Sequence, residues 1–341
     1  MTMQNKFSLY YEMVGSQWQN DESSRSMLWF AYAFINMPRL ALVLLLCFHC
    51  MSSSYVHAQS LPEKVLILGV RADAPPFSFH VGKQEENYHG YSVELCKRIA
   101  HRAIDEGLYS SFDYQRVSAT DRFILLRDGK IDMLCGASTV TLERMKVVDF
   151  SLFTFLSGTS VMYHEFDSKR SGNQKSVFKI GYLKDTTTED EARKIVRDIQ
   201  RRQDDFVQQG VLTIKGVPFD DHISGLNEIL NHELDAYLAD REILLALRQR
   251  AIKEHKIDLV VSHDYFSVEP YAIGLRPGTS DLRFITNSVL SEMFDWNRSD
   301  GDGVHIFDVL RHSFPGKKFS KSLEDMFRIQ RLSVGSKVPS K

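Results

Sequence analysis

Cys135-Gly-Ala-Ser-Thr-Val-Thr-Leu-Glu-Arg144, with Val148-Asp-Phe-Ser151 close behind, carries the strongest local signal in this chain. The stretch Ile131-Asp-Met-Leu134 just before it reads as a buried strand. Small and hydroxyl residues then turn a corner, and a helix begins with an arginine in its first turn. Free N–H groups at a helix start favour an anion. Thr139 can add a hydroxyl, and Arg144 can add a two-pronged guanidinium. The corner therefore reads either as a clamp for a carboxylate or as a capped helix carrying a surface arginine.

Strands and helices alternate on both sides of it. Upstream, Val65-Leu-Ile-Leu-Gly-Val70 is a buried strand, and Ala74-Pro-Pro-Phe-Ser78 breaks it as a loop. After Gly90 an amphipathic helix sets Val93, Cys96, Ile99, Ala100 and Ala103 on one face. A short helix over 122–126 closes at Asp128-Gly129. Downstream, Phe178-Lys-Ile-Gly-Tyr-Leu183 is a strand, and 189–201 is a helix with Ala192, Ile195, Val196 and Ile199 in register. A helical segment at 226–230 precedes strands at 234–238 and at Tyr271-Ala-Ile-Gly-Leu275, and the basic tail after Pro315 holds one more helix around 323–329. This order predicts α/β lobes with mixed, mostly parallel sheets flanked by helices.

A length of 341 residues is enough for two such lobes. The net charge of -2, with no long basic run, no aromatic-basic interleaving and no zinc-type cysteine spacing, argues against nucleic acid as a partner. No metal or cofactor is expected. Met37-Pro-Arg39, the uncharged stretch 40–48, the serines 52–54 and Val56-His57-Ala58 read as a secretory leader over 37–58, cut near Ala58/Gln59. Residues 1–36 then read as a mis-called extension. The rival, one uncleaved anchor joining 27–35 to 40–50, would bury Asn36, Pro38 and Arg39. Cys47 and Cys50 would leave with the leader. Cys96 and Cys135 would stay, as a disulfide in an exported chain or as two buried thiols.

Taken in order, these pieces resemble the periplasmic amino-acid-binding proteins, a two-lobed type II solute-binding fold. Gly69-Val-Arg-Ala-Asp-Ala-Pro-Pro-Phe-Ser-Phe79, Gly90-Tyr-Ser-Val-Glu-Leu95, Leu126-Arg-Asp-Gly-Lys-Ile-Asp132, the corner 137–144 with Asp149-Phe-Ser151, Leu234-Asp-Ala-Tyr-Leu-Ala-Asp240 and Glu269-Pro-Tyr-Ala-Ile-Gly-Leu-Arg276 carry the likeness over about residues 61–315. The resemblance implies a ligand α-carboxylate on Arg144 and Thr139, with Thr186 and Thr187 closing from the second lobe. It implies an α-ammonium on the Ala137 carbonyl and Asp240, and Phe77 against the aliphatic part. It also implies lobes at 60–163 with 272–341 and at 164–271, and a two-strand hinge near 160–164 and 269–272. The protein would be periplasmic and a monomer, binding by lobe closure and handing its ligand to the membrane subunits of an ABC transporter.

Within that family the chain is most similar to the glutamate/aspartate-binding branch. Arg71, Arg122 and His222, after Asp221, match that branch's side-chain pocket, and Cys135-Gly136 fits as well. Arg71, Arg122 and Arg144 against Asp240 leave a positive surplus suited to an acidic amino acid. A neutral ligand would leave a buried guanidinium unpaired, at about 1–3 kcal/mol or more. Two departures bear on this: Asp185 stands where the family commonly has glycine, and Ala137 replaces a serine. The rival readings are an enzyme on the same fold, a dehydratase with His222 as its acid or base, and a stand-alone protein that presents ligand to a receptor.

Overall fold

The computed structural model describes residues 64–82, 87–165, 177–201, 213–295 and 304–331. The leader at 37–58, the extension 1–36, Cys47 and Cys50 lie outside the described residues. Among the described residues no helix is long and apolar enough to cross a membrane.

In chain order the first part runs β1 (Val65–Val70), β2 (Asp73–Ala74), β3 (Ser78–His80), β4 (Tyr88–His89), α1 (Tyr91–Asp105), β5 (Ser111–Arg116), α2 (Arg122–Arg127), β6 (Met133–Cys135), α3 (Leu142–Met145) and β7 (Asp149–Ser157). There follow β8 (Thr159–His164), β9 (Val177–Leu183), α4 (Thr187–Arg201), β10 (Thr213–Phe219), α5 (His222–Leu230), β11 (Ala236–Asp240), α6 (Arg241–His255) and β12 (Leu259–Val261). Last come β13 (Glu269–Leu275), α7 (Ser280–Met293), α8 (Ile306–Ser313) and α9 (Lys321–Gln330).

Ten of these strands form two mixed sheets, ordered β5-β1-β6-β13-β7 and β10-β9-β11-β8-β12, and β2, β3 and β4 form a small antiparallel third sheet. In the first, β1 runs parallel to β5 and β6, while β13 is antiparallel to β6 and β7. In the second, β9 runs parallel to β10 and β11, while β8 is antiparallel to β11 and β12. Helices join the parallel strands, and β1, β6 and β11, away from the sheet edges, are covered and mostly apolar, whereas the edge strands β5 and β10 are half-exposed. The antiparallel ones include β7, β8 and β13, through which the chain passes from one sheet to the other.

The predicted apolar face of α1 is fully enclosed: Val93, Cys96, Ile99, Ala100 and Ala103 have no exposed surface. The helix can start only at Gly90, whose φ is 124°, and a Cβ there would meet the Phe77 carbonyl oxygen at 2.4 Å. Cys96 on α1 is joined by a disulfide to Cys135 at the end of β6, with Cα atoms 6.1 Å apart. That bond fastens the helix to the strand that delivers the corner at 136–144.

The lobe boundary read from sequence needs correction. β8 is hydrogen-bonded along its length to β11, so residues 159–163 belong with the second sheet, not the first. β13 begins at Glu269 in the first sheet, so the return lies just before 269. The outward crossing falls at Gly158, where a Cβ would meet the Ser267 carbonyl oxygen at 2.3 Å. Beside it, the Ser157 hydroxyl and the Lys317 ammonium both donate to the buried Glu242 carboxylate, tying α6 to the segment after α8.

Candidate functional site

In open α/β sheets a ligand site forms beyond the carboxyl ends of the parallel strands. Here β1 ends at Val70 and delivers Arg71, β6 delivers Ala137 and Thr139, β9 delivers Thr186 to Thr188, and β11 ends in Asp240 itself. These ends enclose about 350 Å³ of empty space, part of it open to solvent. Arg71, Arg122, Ala137, Thr139 and Arg144 line it from the first sheet's side. Leu183, Thr186, Thr187, Thr188, His222, Asp240 and Ile243 line it from the second. Thr139 and Thr187 meet across it, with hydroxyls 3.5 Å apart.

The cations are not equivalent. Arg122 is buried, and its Nε and Nη1 are enclosed without a hydrogen-bond partner. Only Nη2 reaches a carbonyl, that of Asp185 at 3.4 Å. Burial, then the charges of Arg144 and Arg71, push its pKa well below the usual value. Arg144 donates through Nη1 to the Thr139 carbonyl at 2.7 Å. Both guanidiniums lie over Phe123, at 4.7 Å for Arg122 and 4.5 Å for Arg144, a cation–π arrangement that holds them without consuming an anion. Burial lowers the pKa of Arg144 despite the nearby Glu269 and Asp240. Arg71, by contrast, is already paired. Its Nε and Nη2 each donate to the Asp73 carboxylate at 2.8 Å. Burial pulls the Asp73 carboxyl up, but Arg71 and His222 hold it below the usual range.

On the anionic side, Asp240 accepts from the Tyr271 phenol through Oδ2, and its Oδ1 is enclosed with no partner. Burial and the Glu269 charge push its carboxyl up to about 7. Glu269 itself is buried and accepts from the hydroxyls of Thr187 at 2.9 Å and Ser267 at 2.7 Å. His222 is buried, which pulls its imidazole down to about 4. Its Nδ1 bonds the Tyr237 hydroxyl at 3.0 Å.

Of the residues singled out from sequence, Phe77 alone is not on the wall. Its N–H closes a turn onto the Ala74 carbonyl at 3.0 Å. The ring is fully enclosed among Tyr91, Phe155, Tyr271 and Phe314, at centroid distances of 5.0 to 6.4 Å. The aromatic cluster takes it into the core, and Ile243 and Leu183 supply apolar wall instead. Asp185 turns its carboxylate away from the cavity: Oδ2 accepts from Thr120 at 2.8 Å, with the backbone left-handed at φ 58°. Lys184 pairs with Asp220 rather than with Asp185. Sequence reasoning missed Asp73, Glu269 and Tyr271. The signal available for Glu269 is a lone acid opening an otherwise apolar strand.

The profile for bacterial extracellular solute-binding proteins, family 3, matches residues 66–298. This chain belongs to that family. A glutamine-binding protein of Geobacillus stearothermophilus is 24% identical over 229 residues, which span 65% of this chain and 77% of that protein. An L-glutamate/L-aspartate-binding protein of Pseudomonas aeruginosa is 24% identical over 246 residues, spanning 71% and 75%. Among solved structures, an ancestral arginine-binding protein bound to arginine superposes with a TM-score of 0.56 at 25% identity, covering 73% of this chain and 98% of that one. This family-3 chain therefore has the two-lobed type II fold of the solute-binding proteins, and its named relatives are binding proteins for several amino acids.

Proposed function

We propose that this chain is the extracytoplasmic substrate-binding subunit of an amino-acid ABC transporter, and that its ligand is an acidic amino acid. One observation carries the reading. A single cavity holds enclosed, unpartnered atoms of both signs, Arg122 Nε and Nη1 and Asp240 Oδ1. A buried charged group without a partner is costly, and a zwitterion satisfies both at once. The α-ammonium takes Asp240, the α-carboxylate takes Arg144 with Thr139 and Thr187, and the distal acid takes Arg122. The ligand then bridges groups of both lobes, so the closed arrangement is favoured by contacts the open one lacks.

The acidic preference rests on Arg122, not on a surplus of arginines. Asp73 offsets Arg71, and Glu269 stands near Arg144, so the positive surplus counted from sequence does not survive. An amide side chain would give Arg122 only a neutral acceptor. We read the chain as a binder rather than a catalyst, because His222, the imidazole on the described wall, is engaged by Tyr237. Calorimetry on two variants tests the reading. Arg144→Ala should lose every amino acid, whereas Arg122→Met should lose glutamate and aspartate far more than glutamine. Equal losses for every ligand in both variants would overturn the assignment of Arg122.

A further inference from the structure

Asp73 stands behind the cavity wall, paired to the lining residue Arg71, and has no part in the α-carboxylate or α-ammonium contacts. It sits on β2, two residues after Arg71, and occupies both prongs of that guanidinium. The arginine is rigidly placed: its N–H donates to the Ser78 hydroxyl at 2.8 Å, and that hydroxyl donates back to its carbonyl at 3.0 Å. The same carboxylate reaches over to the other lobe. Its Oδ2 accepts the backbone N–H of His222, the first residue of α5, at 3.1 Å. The salt bridge is well enclosed, with side chains 5% and 14% exposed, so it is little weakened by water. A bidentate carboxylate–guanidinium pair of this kind is what a ligand's distal acid would make if Asp73 were absent.

We propose that Asp73 is a specificity-determining residue of the amino-acid site. It is a carboxylate supplied by the chain that fills the Arg71 fork, links it to the α5 amide across the cleft, and leaves the distal acid of the ligand to Arg122 alone. The inference rests on the binding function proposed above. Asp73 lowers the positive charge that a ligand side chain meets, so it narrows the margin by which an acid is preferred over its amide. It also makes, within the chain, a bridge between the lobes that a longer acidic side chain would otherwise make.

The test is the ratio of glutamate to glutamine affinity, measured by calorimetry on the full mature chain. Common effects on closure cancel in a ratio. Asp73→Asn should raise the glutamate-to-glutamine ratio about tenfold, the scale of one charge-assisted hydrogen bond. The gain should vanish in the double variant R71M/D73N, because it runs through the freed Arg71. An unchanged ratio in Asp73→Asn, with both ligands weakened alike, would make Asp73 a structural clasp and overturn the inference. A gain that persists without Arg71 would overturn it as well. If the unmodified protein binds neither ligand nor any other amino acid, the proposed function fails instead, and the two failures are distinct.

Discussion

Affinity for an amino acid should fall steeply below neutral pH, and the proton responsible should be that of Asp240. Burial and Glu269, with Glu242 adding to them, push this carboxyl up to about 7, against the opposing pull of the Tyr271 hydrogen bond and Arg144. An ammonium set against Oδ1 requires the ionised form, so binding is full above the raised pKa and weakens as pH falls through it. The ligand's own groups keep their charge through this window, and His222, pulled down to about 4, stays neutral. The apparent dissociation constant scales as one plus the ratio of protonated to ionised Asp240, so the fall in affinity from pH 8 to pH 5.5 is about 30-fold. At pH 7, where about half of the unliganded protein carries the proton, binding should release about half a proton per ligand. Calorimetry in buffers of different ionisation enthalpy reads both quantities. A flat profile over this range, or the same slope in Asp240→Asn, would refute the reasoning; His222→Asn should keep the slope.

Other outcomes follow from the same geometry. The raised carboxyl disfavours ionisation in the fold, so ligand-free protein loses stability as pH rises from about 4 through 7; Asp240→Asn should flatten this component of the melting curve and melt a few degrees higher at pH 8. Phe77→Ala should cost about 3–5 kcal/mol in denaturant unfolding through the lost aromatic packing, with ratios among ligands unchanged. Replacing Cys96 and Cys135 by alanine opens a cross-link spanning 39 residues, which loop entropy values at about 4 kcal/mol in urea unfolding. No loss of stability in that variant or under reductant would contradict a bond in the purified protein.

Much of the fold is visible in sequence wherever a strand is covered on both faces. β1, β9 and β13 are apolar runs, and α1 shows its buried face at helical spacing. β5 is not visible: Ser111-Phe-Asp-Tyr-Gln-Arg116 is a half-exposed edge strand with no fully buried residue. β8 is also hidden, because its alternating Thr159-Ser-Val-Met-Tyr-His164 abuts β7 with only Gly158 between, and nothing local says where the chain changes sheets. At the site, residue types and order are enough to bring the clamp, the threonines, Arg122 and Asp240 to one cavity. Partnering is not legible in the same way. Asp73 stands two residues from Arg71, a separation equally compatible with pairing or with opposite directions, and only the β2–β3 turn decides between them. Phe77 follows two prolines and could face the ligand or the core. The nearby rings of Phe155, Tyr271 and Phe314, distant in sequence, make the core the better place for it.

The central claim is that an acidic amino acid satisfies Arg122 and Asp240 together. Its most direct test is a calorimetric titration of the purified protein against the twenty amino acids at pH 8. The account predicts binding of glutamate or aspartate, weaker binding of their amides, and no detectable binding of lysine or arginine. Tightest binding of a cationic or purely apolar amino acid, with glutamate and aspartate silent, would contradict it.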